Sequence, residues 1–76
     1  MTPDEITSAL AAAGIPNPAC RYDDNGGRYR VTAETEHNGR HCSFSAMVYL
    51  YVDENGLKDV IESFRLWHNE LTGQSN

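Results

Sequence analysis

Seventy-six residues, 39% hydrophobic and 22% charged, make a single domain spanning 1–76, whose core must be thin because a chain of this size buries only about 60% of its unfolded surface. The composition excludes a disordered chain, and the longest apolar stretch, Ala46 to Val52, is far below the roughly 20 residues of a membrane-spanning helix. A formal net charge of −5 disfavours nonspecific binding to nucleic acid or to an anionic membrane, and favours a basic protein partner.

Thr2-Pro3-Asp4-Glu5 opens the first helix with four agreeing signals. Thr2 is an N-cap, Pro3 takes the first helical position, acids fill the first turn, and Glu5 follows the cap by three residues. The same two acids stand where a secretory signal would carry positive charge, so the expected location is the cytoplasm. Ile6, Ala9, Leu10 and Ala13 form one apolar stripe, and Gly14, Ile15 and Pro16 supply a left-handed stop, a hydrophobic contact and a block to continuation. The predicted helix runs from 3 to 13.

A first strand is expected over 19–23, closed by Asp24-Asn25-Gly26-Gly27, with Cys20 and Tyr22 on the same face as Tyr29 and Val31. The next stretch is the strongest local signal in the chain. Asn38-Gly39 lies between two alternating runs, 28–36 and 40–52, and a two-residue type I′ turn needs positive φ at both central residues, which Asn and Gly tolerate. That loop opposes Thr35 to Cys42, Ala33 to Phe44, Val31 to Ala46 and Tyr29 to Val48 on one face. The alternate pairs, among them Glu34 with Ser43, Arg30 with Met47 and Arg28 with Tyr49, form a mostly polar second face. A slip of one residue would set Glu34 and Arg30 against the apolar set, so pattern and turn chemistry agree on the register.

Asp53-Glu54-Asn55-Gly56 ends the third strand and offers Asp53 or Asn55 as an N-cap. Leu57, Val60, Ile61, Phe64, Trp67, His68 and Leu71 then recur at helical spacing as far as Gly73, which predicts a helix over 57–72 and a frayed tail from Thr72 to Asn76. The order α-β-β-β-α, with one apolar sheet face, predicts a two-layer α+β domain: a three-stranded antiparallel meander with both helices on one face and the other face open.

No pattern of catalytic or ligand-binding residues stands out. His41 and Cys42 point to opposite faces by alternation, so with His37 they do not converge as a zinc site. His41 and Ser43 share a face without an orienting third group. Asn25-Gly26-Gly27 precedes a strand and has no helix N-terminus to offer a phosphate. Cys20 and Cys42 are expected as small buried hydrophobes beyond disulfide reach, and His68 as a partly buried residue near a helix C-terminus. The chain thus reads as a non-enzyme with no cofactor and no metal.

Two surfaces remain as partner-binding candidates. Met47, Tyr49 and Tyr51, beside Arg28 and Arg30, are expected on the open sheet face, and are of residue types enriched at interfaces. They suit a protein partner or a homodimer. Asp59, Glu62 and Glu70 lie near one line on the second helix, with Leu66 between them, and suit a basic partner.

The order α-β-β-β-α over residues 3–72 is similar to that of the double-stranded RNA-binding domain. That family grips phosphates with a lysine-rich segment opening its last helix, where this chain has Glu54-Asn55-Gly56-Leu57-Lys58-Asp59, so nucleic acid is disfavoured as the ligand. A small, acidic, motif-free single domain also resembles, in style, the inhibitors encoded by phages and mobile elements, anti-CRISPR proteins among them. That resemblance implies inhibition by covering a nucleic-acid-binding surface of a larger effector, with carboxylates in place of phosphates.

Overall fold

A computed structural model of the chain describes residues 1–23 and 27–73. The elements are α1 (Pro3–Ala12), β1 (Ala19–Asp23), β2 (Arg28–His37), β3 (Arg40–Tyr49) and α2 (Glu54–Thr72). The strands form one antiparallel sheet in the order β1-β2-β3. Ile6 and Leu10 of α1, Val31 and Ala33 of β2, Val48 of β3, and Leu57 and Phe64 of α2 share one buried cluster. The strand members all point to the same side by alternation, so both helices lie on one face and the other is bare.

The capping logic of α1 is realised at both ends. The Thr2 N–H donates to Glu5 Oε1 at 3.0 Å, and the Glu5 N–H donates to Thr2 Oγ1 at 3.2 Å. At the far end Gly14 takes φ +83°, its N–H donates to the Ala11 carbonyl, and the Ile15 N–H donates back to Leu10. Ile15 and Leu10 are both buried, which completes the hydrophobic contact of this helix stop. Asn17, at φ 45°, then donates its side-chain amide to the Glu34 carbonyl at 2.8 Å and pins the α1–β1 connection onto β2.

In the hairpin, His37 pairs with Arg40, Ala33 with Phe44, Val31 with Ala46 and Arg28 with Tyr49, without a bulge. Asn38 and Gly39 sit at φ 53° and 77°, the left-handed pair that the two-residue turn requires. β1 joins by pairing Cys20 with Val31 and Tyr22 with Tyr29. Cys20 and Cys42 are free thiols on opposite edge strands, and burial pushes the Cys20 thiol up from its ordinary pKa. The expected turn at 24–26 and the tail at 74–76 lie outside the described residues. Thr72 is the last helical residue, at the expected bound of the helix, its hydroxyl donating to the His68 carbonyl at 3.1 Å.

α1 ends one residue before the expected 13 and β2 one after the expected 36, while two boundaries differ by three residues. β3 ends at Tyr49, not at residue 52, because β2 begins with Arg28 and leaves nothing beyond Tyr49 to pair with. The alternation of Val48, Leu50 and Val52 imitates a longer strand, but the Val52 N–H folds back onto the Tyr49 carbonyl at 3.1 Å. α2 accordingly begins at Glu54, three residues before the expected 57. Asp53 is the cap, and its carboxylate accepts from the Gly56 N–H at 2.8 Å, so a glycine expected in the turn stands in the first helical turn.

Candidate binding surfaces

The bare sheet face is a surface of two unlike ends. Register sets Arg21 beside Arg30 and Arg30 beside Met47, with Asp23, Arg28 and Tyr49 forming the next row. The Arg28 guanidinium lies over the Tyr49 ring, 5.3 Å from its centroid, and Arg30 reaches Asp23 across the diagonal at 3.7 Å. Met47 is 42% exposed and Tyr49 71%, held up by neighbours rather than covered by them. The other end carries Glu34 beside Ser43 and Glu36 beside His41. Between them Asn17, Ala19, Arg21, Arg30, Thr32 and Glu34 line a shallow hollow of about 370 Å³. The structure thus brings Arg28, Arg30, Met47 and Tyr49 together as expected.

Tyr51 does not share their strand. It is outside the strand ladder, in the turn after β3 and 95% exposed, yet it still meets two of them, since Met47, Tyr49 and Tyr51 line one small niche with Val52, Gly56 and Val60. The residue missed in the sequence is Arg21. Its position opposite Arg30 follows from the same register that put Tyr22 opposite Tyr29, and pairing β1 through to its outer face would have found it.

On α2, Asp59, Glu62, Leu66 and Glu70 are all exposed, and at about 100° per residue they fall on one stripe opposite Phe64 and Leu57. Leu66 is 56% exposed in the middle of these acids. Among the described residues none of the three carboxylates makes an ion pair. Charge is also divided by layer. The two helices and the turn before α2 hold Asp4, Glu5, Asp53, Glu54, Asp59, Glu62 and Glu70 against Lys58 and Arg65, which equals the net charge of −5. Residues 20–45 balance four arginines against Asp23, Asp24, Glu34 and Glu36. His68 lies half-buried beside Trp67, ring centroids 6.2 Å apart.

Among the described residues no three of His, Cys, Asp and Glu are grouped as metal ligands, and no helix is long and apolar enough to cross a membrane. No family model, curated protein or solved structure matches this chain.

Proposed function

We propose that this chain is a non-enzymatic binding module whose acidic helix layer docks on a basic, nucleic-acid-binding surface of a larger protein, in the manner of the small inhibitors encoded by phages and mobile elements. The observation that carries the reading is the stripe of Asp59, Glu62 and Glu70 around exposed Leu66. Carboxylates that make no ion pair among the described residues can meet a partner's lysines and arginines, and an apolar residue among them supplies the desolvated contact that charge alone lacks. From Asp59 to Glu70 the stripe covers about 16 Å at 1.5 Å per residue, the axial length of about five nucleotides in one strand. A rigid helix holds these charges in place without the entropy loss of ordering a loop.

The test compares the wild-type domain with Asp59→Lys, Glu62→Lys as affinity baits in host lysate, followed by binding kinetics on any protein recovered. A nucleoprotein effector held by the wild type, with association slowed by charge reversal mainly at low salt, supports the proposal. Unchanged kinetics on the recovered partner overturn it. Recovery of RNA that resists high salt supports the rival reading, nucleic-acid binding by an α-β-β-β-α domain through Arg21, Arg28 and Arg30.

A further inference from the structure

The two edges of the sheet are not alike. β1 is five residues long, follows Pro18, carries Arg21 and Asp23, and is flanked by Asn17, whose amide occupies the Glu34 carbonyl just beyond its end. These are the devices by which a sheet discourages a further strand. β3 has ten residues, with neither proline, lysine nor bulge, and from Cys42 to Tyr49 it carries no charge.

The turn geometry decides which backbone groups of β3 face outward. His37 and Arg40 close a two-residue turn and so exchange hydrogen bonds, and by alternation Arg40, Cys42, Phe44, Ala46 and Val48 bond to β2. The bond from Asn17 to the Glu34 carbonyl agrees with this alternation, since Glu34 belongs to the set facing away from β3. His41, Ser43, Ser45, Met47 and Tyr49 therefore turn their N–H and C=O groups to the open edge, where among the described residues only the Tyr49 carbonyl is taken, by Val52.

We infer that β3 pairs antiparallel with β3 of a second copy, making one continuous six-stranded sheet. The strand is complementary to itself in one register. With Ser45 opposite the mate's Ser45, Ser43 meets Met47 and His41 meets Tyr49, so every outward-facing residue finds another and about eight new backbone hydrogen bonds form. On the helix side Phe44 meets Ala46 and Cys42 meets Val48, large against small. No like charges oppose each other along the seam. Arg40, the one charged residue of the strand, falls opposite Leu50 on the helix side, where the mate's acidic Asp53-Glu54 turn follows, and symmetry repeats that contact. Trp67, stacked on Phe44 at 5.7 Å, and Val60, beside Met47 and Val48, are half-buried on the flank of α2 above this edge and gain cover from the mate.

The experiment is sedimentation equilibrium of the wild type, Ser45→Pro and Ser45→Lys at about 100 μM, with far-UV circular dichroism of each. The Ser45 N–H is outside the β2–β3 ladder, so proline there leaves the protomer intact and removes the bonds at the axis. The wild type is expected at twice the 8.5 kDa chain mass and both variants at 8.5 kDa with wild-type spectra. Should Ser45→Pro unfold, Ser45→Lys decides, since it keeps its N–H and sets two ammonium groups together at the axis. A wild type that stays at the chain mass up to about 1 mM, or a folded Ser45→Lys that remains dimeric, overturns the inference. Neither result bears on the acidic stripe of α2.

Discussion

Phe44 of the edge strand meets Phe64 of α2 edge to face, ring centroids 4.9 Å apart and planes at 84°, yet the two rings are buried unequally. Phe64 is fully buried at the centre of the core, whereas Phe44 is half-buried beneath Trp67, because no strand flanks β3 on its outer side. Truncation should separate them. Phe64→Ala is expected to cost about 3 to 5 kcal/mol, and Phe44→Ala roughly 2 to 3, in urea unfolding below the concentration of self-association. Equal losses would mean that Phe44 is as deep in the core as Phe64.

Val52 lies against Gly56 so closely that a Cβ on the glycine would stand 2.8 Å from Val52 Cγ2 and 3.4 Å from Asp53 Oδ1. Helix propensity alone predicts that Gly56→Ala gains about 1 kcal/mol. The contact reverses the sign: a loss of about 1 kcal/mol is expected, and in a Val52→Ala background the same substitution becomes neutral or favourable. A double-mutant cycle in urea measures the coupling, and a stabilising Gly56→Ala in the wild-type chain would contradict the close approach.

The Glu5 carboxylate accepts from the backbone N–H of Thr2, and this bond, with a further contribution from the Thr2 hydroxyl, holds it below its ordinary pKa. A lowered folded-state value means that the stabilisation is present above the unfolded value and is lost as pH falls through the folded one. Side-chain carboxyl shifts followed by NMR should show Glu5 titrating below a free glutamate and moving upward in Thr2→Val. A Glu5 titration unaffected by that substitution would show that the capping box is open in solution.

Duplex RNA and DNA should give no mobility shift with micromolar protein at about 150 mM salt. The helix layer carries the whole net negative charge, and the arginines of the open face are balanced by the acids of residues 20–45. A shift that survives this ionic strength would move the functional surface to Arg21, Arg28 and Arg30.

Much of this molecule is written in local chemistry. Thr2-Pro3-Asp4-Glu5, Gly14-Ile15, Asn38-Gly39 and Gly73 each satisfy a backbone demand within a few residues, so the ends of α1, the hairpin register and the end of α2 are legible without knowing what packs on what. The alternation of Val31 and Ala33 against Phe44 and Val48 then determines which sheet face the helices cover, and helical spacing determines that Asp59, Glu62, Leu66 and Glu70 share a stripe. Tertiary structure decided what depends on a partner. β3 stops at Tyr49 because β2 has no residue left to pair, although the apolar pattern runs on through Val52, and Tyr51 meets Met47 and Tyr49 from the turn beyond the strand for that reason. Asp53 could start α2 early because Gly56 lets Val52 approach the first turn. The burial of Phe44 was set by its place on an edge strand, which is a property of strand order, and periodicity along one strand carries no information about what lies beyond it.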